Sequence, residues 1–195
     1  MSLIRNLLAI IGLLAVIGVG YAAVKLAPYQ AAFDSFDEKA LDTYVEMAKG
    51  VVETGNAAEA TVWKAKVKKG LSFDEVDETI KFVANEHNIK NVGELPLWKQ
   101  VEAMTGKQQR IAKIYMYCNP LTAFKMMDYS DAYSAYLPCR VSLVEDKEGN
   151  LWIYTLNMDL MIHGGKELPP DLKKEALEVK AIMLDVLKRA SSGDF

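Results

Sequence analysis

Residues 110–140 read RIAKIYMYCNPLTAFKMMDYSDAYSAYLPCR, and the reading of this stretch decides the fold. Ile111 to Cys118 is rich in β-branched and aromatic side chains, as a buried strand requires. Successive side chains of a strand point to opposite faces. Ala112, Ile114, Met116 and Cys118 therefore share one face, and Ile111, Lys113, Tyr115 and Tyr117 the other. Asn119 is a good N-cap, and Pro120 suits the first helical position, where its missing N–H forfeits no hydrogen bond. A helix is expected through Leu121, Phe124, Lys125 and Met127 to about Asp128, with further turns over Ser130 to Tyr136 until Pro138 stops them. A second strand follows, with Cys139, Val141 and Leu143 on one face and Arg140, Ser142 and Val144 on the other.

Working outward, Asp146 to Asn150 is a hairpin loop and Leu151 to Asn157 its returning strand. Met158 to Leu168, with Gly164-Gly165, reads as a loop. Pro169-Pro170 opens a last helix whose apolar face is Leu172, Ala176, Val179, Ile182, Met183, Val186 and Leu187. Upstream, Thr61 to Lys68 alternates, with Trp63, Ala65 and Val67 opposed to Lys64, Lys66 and Lys68. Ser72 and Glu75 form a capping box for a helix buried through Phe73, Val76, Ile80 and Val83. His87 lies near its C-terminus, where the helix dipole favours a histidine. Asn88 to Pro96 reads as a turn and short extended piece, and Trp98 to Met104 as a short helix ended by Gly106. The expected class is α+β, an antiparallel sheet with helices packed on one face, occupying residues 59–195.

The amino-terminal part is different. Asn6 to Val24 carries no charge, and as a helix would span about 28 Å at ~1.5 Å per residue, close to the hydrocarbon thickness of a bilayer. Residues 6–26 are thus expected to cross a membrane. Arg5 and the amino terminus precede the span, and Lys25, Asp34, Asp37 and Glu38 follow it. This bias puts residues 1–5 in the cytoplasm and the large domain on the periplasmic or outer side of the inner membrane. The rival is a cleaved signal peptide with a weak site at Gly20-Tyr21-Ala22; the length of the apolar run favours an uncleaved anchor. Residues 27–58 read as a connector and an amphipathic stalk helix from Phe36 to Glu53. Its stripe of Leu41, Tyr44, Val45, Ala48, Val51 and Val52 is expected to pack on its own domain or on a partner.

Cys118-Asn119-Pro120 and Leu137-Pro138-Cys139-Arg140, with a helix between and a hairpin after, resemble the domain of unknown function 302 family over roughly Ala60 to Ala190. The resemblance implies a small α+β domain of TATA-binding-protein-like type, often paired as a homodimer, and implies no particular reaction. The anchor, the stalk and the extended Asn157 to Leu168 loop depart from the simplest members.

Candidate functional residues are few. The net charge of −3 gives no basic footprint for nucleic acid. No phosphate loop, nucleophile elbow or zinc-protease helix occurs, and no Cys-x-x-Cys-His that would attach a c-type haem. Cys118, Asn119, Cys139 and Arg140 are the candidates for ligand binding. The two cysteines are open to three readings: small apolar side chains that both point to the core face, a disulfide, or a reactive or ligand-binding pair. Met158, Met161 and His163 form a soft set suited to copper. The leading expectation is a non-enzymatic membrane-anchored ligand-binding module or accessory subunit of a membrane complex. The alternative is a thiol-dependent redox or metal-handling protein using Cys118 and Cys139.

Overall fold

In the computed structural model, which describes residues 2–195, the alternating segments become one antiparallel sheet. Its strands are β1 (Val62–Lys66), β2 (Lys90–Pro96), β3 (Ala112–Cys118), β4 (Cys139–Glu145) and β5 (Leu151–Leu156). Their order is β1-β5-β4-β3-β2, so the stretch read first supplies the centre-side pair β4 and β3. The helices are α1 (Ser2–Leu26), α2 (Gln30–Phe33), α3 (Ala40–Thr54), α4 (Ala57–Ala60), α5 (Phe73–Glu86), α6 (Leu97–Thr105), α7 (Pro120–Tyr129), α8 (Asp159–His163) and α9 (Pro170–Ser192). Ser72 and Glu75 make the expected capping box at the start of α5, and Asn119 caps α7 through Leu121 and Thr122.

Register decides which face is the core. Tyr115 pairs with Val141, Tyr117 with Cys139 and Lys113 with Leu143. Tyr115, Val141, Leu143 and Ile153 are wholly inaccessible beneath Val76, Ile80 and Val83 of α5 and Met183 and Val186 of α9. Each such side chain contributes about 1.5–3 kcal/mol by leaving water. The reading that put both cysteines on the core face is thereby corrected. Cys139 shares the covered face, whereas Cys118 belongs to the face of Ala112, Ile114 and Met116, which is only half-buried. Lys113 is buried on the covered face because its ammonium lies 2.5 Å from Asp77 and 2.7 Å from Glu94. Burial alone would raise the Asp77 carboxyl, but Lys113, Lys81 and the Tyr115 hydroxyl together hold it below its ordinary value.

Three further differences have local causes. The extended piece before Pro96 is a full edge strand with a bulge between Asn91 and Gly93. A Cβ at Gly93 would meet the Met116 methyl at 2.7 Å, a contact that the flexible end of that side chain can relieve by moving. The loop after β5 contains α8, whose first turn is held by Asn157 accepting the Asp159 N–H at 2.9 Å. The stalk helix starts at Ala40, not Phe36, and docks through a different face. Ala40 is buried and Thr43, Met47 and Gly50 are half-buried, while Leu41, Tyr44, Val45, Ala48, Val51 and Val52 are exposed. Gly50 lets α3 approach α4 closely, since a Cβ would meet Ala60 Cα at 3.1 Å.

The helical stretch from Ile4 to Phe33 is long and apolar enough to cross a membrane, with a mean hydropathy of 2.6. Three residues beyond it the chain is fastened to the domain. Phe36 bridges to Lys166, and the Asp37 N–H donates to the Gly165 carbonyl at 2.8 Å. The Asp37 side chain is fully inaccessible, with His163 Nδ1 at 3.0 Å and Lys173 Nζ at 2.7 Å. Burial opposes ionisation of Asp37, but Lys173, the Lys39 N–H and His163 outweigh it and bring its pKa down to about 2. A carboxyl depressed in the fold contributes stability that is complete above about pH 4 and is lost as pH falls through about 2. Asp37→Asn is expected to lower the unfolding free energy by about 3 kcal/mol, as when one partner of a buried ion pair is removed. Urea denaturation of the detergent-solubilised chain measures this, and limited proteolysis is expected to cut the variant between residues 157 and 168 first.

Candidate functional site

β3 and β4 end side by side. Cys118 closes β3 immediately before the Asn119 cap, and Cys139 opens β4 opposite Tyr117. The start of α7 therefore crosses the strand ends and leaves a small apolar cavity of ≈30 Å³ beneath it. Cys118, Asn119 and Cys139 line it together with Tyr117, Met158 and Met161. Strand alternation alone separates the two cysteines, but the chain's turn into α7 brings them to one cavity. Both are free thiols. Burial raises the Cys118 thiol, and burial followed by the neighbouring Cys118 pushes Cys139 up to about 11. Arg140 opposes that rise only weakly, in keeping with its place on the other strand face. The arrangement suppresses thiolate, the reverse of what an activated nucleophile needs.

A second, larger cleft of ≈210 Å³ lies on the Arg140 side of the same strand ends. Arg140 and Ser142 from β4, Tyr154 and Leu156 from β5, and Tyr136 line it, with Met158 and Met161 at its inner wall. The ion pairs of arginine among the described residues belong to Arg189, and Arg140 makes none. A third cavity, ≈340 Å³, shares Tyr136 and Met161 and is completed by Tyr129, Tyr133 and Gly164–Lys166. Tyr133 is fixed there by donating its hydroxyl to the Met161 carbonyl at 3.0 Å.

The candidates from sequence thus separate. Cys118, Asn119 and Cys139 meet at the small cavity, although the Asn119 side-chain oxygen is committed to capping α7. Arg140 opens onto the adjoining cleft. Cys139, Met158 and Met161 border both spaces. His163 does not join the two methionines; it is buried against Asp37, with Asp159 at 3.9 Å from its other nitrogen. Tyr136, Ser142, Tyr154 and Lys166 escape sequence reasoning. Ser142 and Tyr154 had a signal, since strand parity places both on the Arg140 face, paired with each other. Tyr136 and Lys166 lie in irregular segments whose position no periodicity gives.

The chain matches the family described as Domain of unknown function DUF302 over residues 63–190, and so belongs to that family. The crystal structure of an uncharacterized conserved DUF302 protein from Bacillus stearothermophilus has a similar fold. It superposes with a TM-score of 0.54 at 15% identity, covering 67% of this chain and 98% of that one. Among curated proteins none matches the chain. The family begins at Trp63, so α1 and the stalk lie outside the matched region.

A pKa of about 11 leaves a fraction of order 10⁻⁴ of Cys139 as thiolate at pH 7. Native protein at pH 7.5 is expected to react with iodoacetamide at least tenfold more slowly than the urea-unfolded chain, with thiolate absorbance rising only above about pH 10. Equal rates before and after unfolding would show that the thiols are open and activated.

Proposed function

We propose that this DUF302 chain is a membrane-anchored binding module that takes a small anionic amphiphile into the cleft beside Arg140. The observation that carries the reading is the unpaired Arg140 in a cleft otherwise lined by aromatic, aliphatic and hydroxyl-bearing side chains. A guanidinium presents a planar fork of donors that suits a carboxylate or phosphate. The Ser142 and Tyr154 hydroxyls add donors on the same face, and Leu156 and the methionines suit an apolar body. Small-molecule sites have this character, mostly apolar with a few convergent polar groups.

The position of the cleft supports a ligand drawn from the membrane. Phe33 ends the apolar helical stretch, and Phe36 is bridged to Lys166 in the wall of the adjoining cavity. Three residues span at most about 10 Å. The α1 helix is read as a single-pass anchor, amino terminus in the cytoplasm and domain on the outer side of the inner membrane, from Arg5 before it and the acidic residues after it.

A second reading, an accessory subunit of a membrane complex or a homodimer, is favoured by the exposed apolar stripe of α3. The stripe holds six side chains at helical spacing on the segment joining anchor to domain.

Arg140→Gln is expected to weaken binding of a fluorescent fatty-acid analogue by at least tenfold in a detergent-free nanodisc assay, with the melting temperature unchanged. Equal binding by the variant would remove the cleft as the site. For the second reading, Leu41→Glu combined with Val52→Glu is expected to abolish co-extraction of partner protein or of a second tagged copy in mild detergent. Monomer alone from the unaltered chain would end that reading.

A further inference from the structure

We infer that the small cavity between Cys118, Cys139, Met158 and Met161 is a binding site for a single cuprous ion. The first argument is size. A cavity of ≈30 Å³ exceeds the ~10–15 Å³ that one water-sized body requires but is about a tenth of the smallest ordinary small-molecule pocket. It admits one ion and no organic substrate.

The second argument is ligand softness. Five of the side chains at the cavity carry sulfur, the thiols of Cys118 and Cys139 and the thioethers of Met126, Met158 and Met161, from four separate parts of the fold: the β3 end, α7, the β4 start and the α8 region. Soft thiolate and thioether sulfur selects copper(I) among biological metals. Zinc takes cysteine, histidine and carboxylate, not thioether. Among the described residues no group of three or more histidine, cysteine or carboxylate side chains is placed to hold a metal ion. The one histidine near the methionines in sequence is held by Asp37. A harder cation therefore finds no site here, and only an ion content with sulfur does.

The third argument is charge. The cavity wall holds no ionised side chain, so a net charge placed in it is costly. A cuprous ion bound by one thiolate and two thioethers is neutral overall. The step balances simply: one cysteine S–H bond breaks, one copper–thiolate and two copper–thioether bonds form, the proton goes to solvent, and no electron moves. A thiol must lose its proton to bind, so the proton competes with the metal. Tyr117 adds a buried polar group to the residues of the wall. It lines the cavity, is 1% exposed, and its hydroxyl has no hydrogen-bond partner. An orphaned buried hydroxyl costs about 1–3 kcal/mol.

The inference does not use Arg140, although Cys139, Met158 and Met161 also line the Arg140 cleft. Its test uses the full chain in mild detergent under anaerobic conditions, titrated with copper(I) in competition with bicinchoninate. One equivalent is expected to stay with the protein, with affinity rising about tenfold per pH unit between pH 6 and 8 as one proton is released. X-ray absorption is expected to show a sulfur-only first shell. Cys118→Ser combined with Cys139→Ser is expected to release the ion. Met126→Leu, Met158→Leu and Met161→Leu together keep volume and apolarity and are expected to weaken binding at least tenfold while the near-ultraviolet circular dichroism stays unchanged. Arg140→Gln is expected to bind copper as the unaltered chain does. Removal of all copper by the chelator, a nitrogen or oxygen shell, or unchanged affinity in the triple methionine variant would overturn the assignment. The methionine variant decides the matter even if the serine variant fails to fold.

Discussion

The burial of Asp37 against Lys173 and His163 is the constraint on which the 158–168 wall of the cavities depends. Its carboxylate is fully out of water, and an unpaired charge there would cost several kcal/mol. The three groups come from the connector after α2, from α8 and from α9. Satisfying one carboxylate therefore fixes three elements at once. The Asp37 N–H to Gly165 and the Tyr44 hydroxyl to Gly164, at 2.5 Å, add to the same joint. The result is a rigid path from the apolar helix to the 158–168 segment. That segment carries Met158 and Met161, which form the wall of the copper cavity on one side and of the Arg140 cleft on the other.

The sheet does the other half of the positioning. Strand parity sends Cys139 toward the helices and Arg140 to the opposite face, one residue apart. Cys139 stands at the boundary of two spaces, lining the small cavity with Cys118 and the larger cleft with Arg140. The small cavity has no charged group in its wall; the cleft adds a cation and hydroxyls to the same sulfur atoms. A backbone repeat of two residues is what turns Arg140 to the cleft alone. This also explains why Arg140 does little to lower the Cys139 pKa, although the two are adjacent in the chain.

Much of the architecture was legible because it rests on local rules. The capping box at Ser72, the Asn119 cap, the Pro170 helix start and the alternation of β1, β3, β4 and β5 each depend on a few contiguous residues. What escaped depends on contacts distant in sequence. The face of β3 that becomes core is chosen by which side α5 and α9 cover, and Tyr115, Tyr117 and a lysine satisfied by Asp77 and Glu94 win over Ile114 and Met116. The strand Lys90–Pro96 is hidden by a bulge and by the glycine, Gly93, that follows it. His163 reads as a soft ligand beside two methionines until Asp37, 126 residues earlier, is seen to hold it. Of the site, the four motif residues were visible, and the tyrosines and Lys166 that complete it were not.

The stalk shows the same limit from the other direction. Periodicity found its apolar stripe correctly but cannot say what the stripe faces. A helix of small contact residues can dock through them instead, and α3 does so: Ala40, Thr43, Met47 and Gly50 meet the domain, and Gly50 in particular permits the close approach to Ala60. Docking through these residues leaves Leu41, Val45 and Val52 outward, while Tyr44 is half outward and returns its hydroxyl to Gly164. Burying each large aliphatic among them would gain about 1.5–3 kcal/mol. The fold forgoes that gain within its own chain on the helix that lies between the apolar α1 and the domain. An amphipathic helix resting on lipid would carry a basic polar face; here the remaining charges are Asp42, Glu46, Lys49 and Glu53, acidic on balance. The stripe is therefore suited to protein more than to an anionic membrane surface, and the small-residue docking of α3 is what makes it available.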